Sequence, residues 1–243
     1  MAPKKRYTLY SILDSFFSAN FGDRGKIEYD PIIILDTSAV IDIEKFFVRN
    51  KRDTAVSCFD KIAQVVGNAT FIVPKCVYAE IGEHHKHHKV GKRKEISNET
   101  YGFITSCYQE TGNQDALINP LVTIADDLRY LIRSLYFENI DEKKLNRDPI
   151  SCADWDLVDQ AIYLARISEM YLGKTLDQRV SLEDSPKNVD LDKVPNPFKI
   201  AVLSSDKHIY FPLELLLESP EGIKYNSLLK PINLRNYKLD EGN

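Results

Sequence analysis

Apolar residues in this chain fall into two kinds of run, and their spacing predicts an alternation of strands and helices. Pro31-Ile32-Ile33-Ile34-Leu35, Thr70-Phe71-Ile72-Val73-Pro74 and Ile200-Ala201-Val202-Leu203 are short, continuous and largely β-branched. A strand with no polar alternation is buried on both faces, the habit of central strands in a parallel sheet. Elsewhere the period becomes helical. Val56, Phe59, Ile62, Ala63 and Val66 share one face of a helix predicted over about 54–66. A helix over about 75–88 carries Val77, Glu80 and Ile81, and another over about 120–137 carries Leu121, Ile124, Leu128, Leu131 and Leu135. A strong amphipathic helix follows Ser151-Cys152-Ala153-Asp154 and runs through Ile167, buried through Trp155, Val158, Ile162 and Ala165. A helix over about 9–19, a short one near Leu213 and a final edge strand around Ile232 complete the pattern. Strand, helix, strand, helix is the order of an α/β fold.

These elements set the organisation. Residues 31–211 form the predicted domain, flanked by an N-terminal extension (1–30) and a C-terminal extension (212–243). A helix-prone insertion occupies about 89–149. A second, at about 171–198, is rich in Asp, Lys and Pro and reads as a surface excursion.

With 43% apolar residues and 28% charged, the chain has enough material for one large soluble core. The net charge of −4 does not mark the whole molecule as a polyanion binder, so local charge decides that question. Cys58, Cys76, Cys107 and Cys152 form no CxxC pair, which argues for reduced thiols over a zinc ribbon or disulfide framework. No segment has the length and apolarity of a membrane span, and the N-terminus lacks an apolar signal region. The expectation is a soluble cytoplasmic protein. The short basic cluster Pro3-Lys4-Lys5-Arg6 leaves a nuclear address open.

Four acidic residues stand at equivalent places. Asp36 follows the first strand, Asp206 follows the last buried one, Glu80 lies early in the helix after the second strand, and Asp154 opens the amphipathic helix. In an open parallel sheet, functional groups collect at the carboxyl ends of the strands. All four can therefore face one edge. Gathered carboxylates repel each other and call for cations or protons. Hard oxygen ligands suit Mg²⁺ or Mn²⁺, and a pair of such ions can clamp the attacking and leaving oxygens of a phosphodiester displacement. Each residue also has a plainer reading. Asp36-Thr37-Ser38 is a plausible helix cap, Ser151-x-x-Asp154 resembles a capping box, Glu80 fits a solvated helix face, and Asp206-Lys207 fits a turn. It is the order and placement of the set that favours a site.

IIILDTSAVID, IVPKCVYAEIGE, ISCADWDLVDQAIYLA and AVLSSDKHI resemble, in order, the four motif blocks of the PIN-domain ribonuclease family. The resemblance covers roughly residues 31–211, interrupted by the two insertions, and its first and last blocks are the most specific. It implies a three-layer α/β/α fold around a central, mainly parallel sheet. It also implies an Mg²⁺- or Mn²⁺-dependent endoribonuclease working in RNA processing or turnover, with products carrying 5′-phosphate and 3′-hydroxyl. On this resemblance Asp36, Glu80, Asp154 and Asp206 are the metal ligands, and Ser38 or Ser205 helps position them. Asp156 or Asp159, three apart on one helix face, is a candidate for a further ligand. RNA is the implied partner, and a homodimer or an RNA-processing complex is the implied assembly. The helical insertion also bears a weak resemblance to the protein-only RNase P branch of the same superfamily.

The densest positive segment is Glu83-His84-His85-Lys86-His87-His88-Lys89, continued by Gly91-Lys92-Arg93-Lys94. His84 and His88 have a zinc-compatible spacing, but the interleaved lysines would repel a cation. Phosphate contact by Lys86, Lys89, Lys92, Arg93 and Lys94 fits better, with a solvated helix end as the plainer alternative. Tyr101, Phe103 and Tyr108 are candidates either for stacking on bases or for the core, and Trp155 reads as a core anchor. Three rival functions follow: a catalytically silent RNA-binding or scaffold module of the same fold, a toxin-type PIN ribonuclease, and an aspartate-nucleophile phosphatase. The phosphatase ranks low, because Asp36-Thr37-Ser38 lacks a second Asp two residues on.

Overall fold

A computed structural model describes residues 7–19, 27–50, 54–87, 89–90, 93–112, 126–140, 149–184 and 196–239. Its centre is a four-stranded, all-parallel sheet of β1 (Asp30–Leu35), β2 (Thr70–Ile72), β5 (Phe198–Ser204) and β6 (Leu229–Asn233), in the order β2-β1-β5-β6. The two fully apolar runs take the two inner positions, as burial on both faces demands. Ile33, Ile34 and Leu35 of β1 and Ile200 through Leu203 of β5 are all inaccessible to solvent. The edges fall to the three-residue β2 and to β6, whose Pro231 suits an edge strand because proline cannot donate to a further neighbour.

Among the described residues eight α-helices accompany the sheet: α1 (Leu9–Ser18), α2 (Thr37–Asn50), α3 (Ala55–Val66), α4 (Lys75–His87), α5 (Asn98–Gly112), α6 (Asp126–Asn139), α7 (Cys152–Asp184) and α8 (Lys207–Glu218). They pack in two groups. The first joins α1 to α3, α3 to α2 and α5, and α4 to α2 and α5; the second joins α6, α7 and α8 to one another, with α7 and α8 packed on β5 and β6. The chain moves one way from β1 to β2 and the other way from β2 past β1 to β5. A parallel sheet with its helices packed in two groups is in keeping with a three-layer α/β/α arrangement. A hairpin of two-residue strands, β3 (Lys89–Val90) and β4 (Arg93–Lys94), follows α4.

Local chemistry explains the boundaries. Gly67 and Asn68 both take positive φ at the end of α3, a conformation open to glycine and tolerated by asparagine. Ser97 caps α5 through the Thr100 N–H at 3.2 Å, and buried Glu44 of α2 accepts from the Ser97 N–H (3.1 Å) and the Thr100 hydroxyl (2.7 Å). One boundary differs from expectation. The amphipathic helix continues beyond Ile167 to Asp184, across much of the segment expected to be a surface insertion. Residues 168–184 contain no proline and many helix formers, and the prolines begin at Pro186, so the composition of the later half misrepresents the earlier.

The flanking segments share the same core. Leu9 and Leu13 of α1 are fully buried, and the Leu9 N–H donates to the Lys238 carbonyl at 2.8 Å. The edge strand expected around Ile232 is β6, and the short helix near Leu213 is the longer α8. No helix among the described residues is long and apolar enough to cross a membrane, and all four cysteines are free thiols.

Candidate active site

The register of the central strands creates the site. Leu35 pairs with Leu203, so the next residues, Asp36 and Ser204, meet at the carboxyl ends of β1 and β5. This is also where the connections diverge to opposite sides, the crevice that open α/β sheets use for ligands. Asp36 precedes the first turn of α2, its carbonyl accepting from the Ala39 and Val40 N–H groups, and it is only 6% exposed.

Two hydrogen-bond relays hold its carboxylate. The Ser205 N–H donates to the Ser38 hydroxyl at 2.9 Å, and Ser38 donates to Asp36 Oδ2. The Asp206 N–H donates to the Ser204 hydroxyl at 2.8 Å, and Ser204 donates to the same Oδ2 at 2.8 Å. Neither bond engages Oδ1. Burial pushes the Asp36 carboxyl up to about 6; the two serines pull it down, and the negative charges of Asp206 and Asp154 push it up.

The other acidic residues reach the same rim from separate elements. Glu80 of α4 is tethered through the Thr37 hydroxyl, which donates to Glu80 Oε2 at 2.6 Å. Asp206 caps α8, accepting from the His208 N–H at 2.9 Å. Asp154 forms the capping box that the sequence suggested, exchanging 3.0 Å bonds with Ser151. Asp156 is exposed and close to Cys76, whose thiol donates to the Ala153 carbonyl at 3.7 Å. Burial, with the charges of Asp156 and Glu80, pushes that thiol up to about 11. The four expected ligands therefore share an edge, but their carboxylates are turned to different local partners. Among the described residues, no three His, Cys, Asp or Glu side chains form a group able to hold a metal ion. The cause is visible in the bonds: Asp154 and Asp206 satisfy helix N-termini, where carboxylates are stabilised without a cation.

Two residue roles fall differently from expectation. Asp159 is buried, and its Oδ2 accepts from Arg129 Nε and Arg133 Nη2 of α6, each at 2.9 Å; it ties α6 to α7. The hydroxyl of Ser205 is buried and meets no partner among the described residues, and its contribution is the backbone N–H. The side chain that joins Ser38 on Asp36 is Ser204, which the motif reading passed over. Its signal lay in register, since it stands one residue past Leu203 as Asp36 stands one past Leu35.

Of the basic segment, Lys86 and Lys94 are exposed. The side chains of Lys89 and Arg93, and the whole of Lys92 and His88, lie outside the described residues. His84 is engaged by Glu95 at 2.7 Å, which also pairs with Lys45. Partial burial pushes Glu95 up, but hydrogen bonds from Lys45 and His84 hold it below the ordinary glutamate range. Trp155 packs edge-on against buried Tyr136, with Arg133 over its ring at 5.1 Å.

Comparison with protein-family models, curated proteins and solved structures found no match to this chain.

Proposed function

We propose that the chain is an endoribonuclease of PIN-like type that hydrolyses RNA phosphodiester bonds with Mg²⁺ or Mn²⁺. The observation that carries the reading is buried Asp36 at the switch point of the sheet, with Asp154, Asp206 and Glu80 brought to the same rim from three other elements. The donor chemistry fits a hard divalent cation. The set is all carboxylate oxygen, and the central member is strained toward protonation by burial and like charge, a state that a cation would reverse. Asp36, Glu80, Asp154 and Asp206 would hold the ion. When bound, it would supply an activated water and charge neutralisation at the departing 3′-oxygen. Ser38 and Ser204 fix Asp36 Oδ2 and leave Oδ1 clear of both bonds. Asp154 and Asp206 would exchange their cap bonds for the ion, and the Thr37 hydroxyl holds Glu80 Oε2 beside the start of α2.

The test is cleavage of a mixed RNA pool by wild type and Asp36→Asn, each with Mn²⁺ and with EDTA. Cleavage by wild type with Mn²⁺ alone, lost in the variant, is the expected result. Cleavage that persists in EDTA or in Asp36→Asn would overturn it. A second reading, a silent RNA-binding module of the same fold, is favoured by the cap bonds that occupy Asp154 and Asp206. It predicts RNA binding with no cleavage under any of these conditions.

A further inference from the structure

Hydroxyl groups hold two of the rim carboxylates, and the bonds differ in how much of each carboxylate they occupy. Asp36 Oδ2 accepts from both Ser38 and Ser204, which fills its lone-pair sites, and Oδ1 makes no hydrogen bond among the described residues. Glu80 has a single such bond. The Thr37 hydroxyl donates to its Oε2 at 2.6 Å, the short length of a charge-assisted contact, and Oε1 makes none among the described residues. The donor is firmly placed. Thr37 opens α2 directly after Asp36, is only 6% exposed, and has a β-branched side chain with restricted χ1. The acceptor is not. Glu80 is an exposed residue of α4 with a long, flexible side chain, and no other hydrogen bond or ion pair restrains its carboxylate among the described residues.

We propose that Thr37 is a positioning residue that sets the ion preference of the site: it keeps Glu80 to one free oxygen, as Ser38 and Ser204 keep Asp36, so that the rim takes a small octahedral Mg²⁺ or Mn²⁺ and refuses Ca²⁺. The inference rests on the metal-dependent reading of the same carboxylates. Mg²⁺ demands a near-octahedral shell, keeps several waters and needs few carboxylates, each through one oxygen. Ca²⁺ gathers roughly six to eight oxygens and draws on carboxylates that grip with both of theirs. Asp36 cannot grip in that way, because Oδ2 is full. Glu80 is one bond away from doing so, and Thr37 supplies that bond. Without the hydroxyl the Glu80 carboxylate turns freely, and both of its oxygens are open to the larger ion. Asp36 and Thr37 are consecutive, so one stretch of chain at the start of α2 governs both carboxylates.

The experiment measures Mn²⁺ and Ca²⁺ affinity of the full chain by isothermal titration calorimetry, without RNA, for wild type, Thr37→Val and Thr37→Ser. Wild type should bind Mn²⁺ the more tightly. Thr37→Val keeps the shape and loses the hydroxyl. It should weaken Mn²⁺ by about 10- to 100-fold, the range for removing a hydrogen-bond partner of a metal ligand, and leave Ca²⁺ nearly unchanged. Thr37→Ser, which keeps the hydroxyl, should hold the wild-type ratio. A purely structural role would shift both ions together, so the ratio is the decisive reading. An unchanged ratio in Thr37→Val, a Thr37→Ser that behaves like it, or a wild type that binds Ca²⁺ as tightly as Mn²⁺ or binds neither would overturn the proposal. Circular dichroism melting confirms that each variant folds. Infrared spectra of wild type with Mn²⁺ test the same point without a variant: carboxylate stretches of one-oxygen binding are expected, and bidentate stretches overturn it. The two readings fail separately. Cleavage by wild type beside an unchanged ratio sinks the role of Thr37 alone, and a shifted ratio in a protein that never cuts sinks the nuclease alone.

Discussion

Asp36 is the residue on which the proposed chemistry turns. Its folded pKa is raised, from 3.8 to about 6, chiefly by burial. A raised folded value means its contribution to stability is full below the unfolded pKa and is lost as pH rises through the folded one. In metal-free buffer, urea midpoints should therefore show a loss between pH 4 and 6 that Asp36→Asn lacks. A shift of about two units corresponds to about 3 kcal/mol. Identical pH slopes in the two proteins would show that Asp36 is not buried as described. The adjacent serines separate the two relays. Ser204→Ala removes a hydroxyl from a buried carboxylate and should cost about 1.5–3 kcal/mol at pH 8, and less at pH 5 where Asp36 is protonated. Ser205→Ala removes a hydroxyl with no partner among the described residues and should stay within about 0.5 kcal/mol. Equal costs in denaturant titrations would contradict these roles.

At the scale of elements, the least expected tie is Lys199. It sits in central strand β5, fully buried, and its ammonium donates to the carbonyls of Phe16 (2.8 Å), Phe17 (3.4 Å) and Ala19. These belong to the end of α1, where helix carbonyls lack partners and a cation is favoured. Burial pulls its pKa down. Lys199→Met keeps the apolar stem but strands those carbonyls. It should cost about 1–3 kcal/mol and speed hydrogen exchange in α1; unchanged α1 protection would refute the tie. This tie also marks what the sequence could and could not convey. Strands β1 and β5 were legible as unbroken apolar runs, and helices α3 and α4 by their helical spacing. The four acidic positions were legible because strand ends predict a shared edge. Nothing local announces that Lys199 reaches α1, that Arg129 and Arg133 capture Asp159, or that Ser204 and not Ser205 faces Asp36. Those are facts of long-range register and packing. The β3–β4 hairpin, with strands of two residues, is too short for any periodicity to show.

For the whole molecule, the order β2-β1-β5-β6 places the most apolar strands innermost and opens its crevice between them. The same order has a consequence for biogenesis. Asp36 and Ser204 are neighbours across 168 residues of sequence. Strand β1 is made early, with apolar side chains that require cover on both faces, and its partner β5 is made late. At roughly 5–20 residues per second of synthesis, β1 waits about 10–30 s for the strand that closes its second edge. Pairing so distant also carries a large loop-closure cost, which slows folding. During that interval Ile32–Leu35 is an apolar, β-branched stretch with one edge unpaired, the kind of segment that invites chaperones or aggregation, so the strand that builds the rim is also one that needs protection during translation.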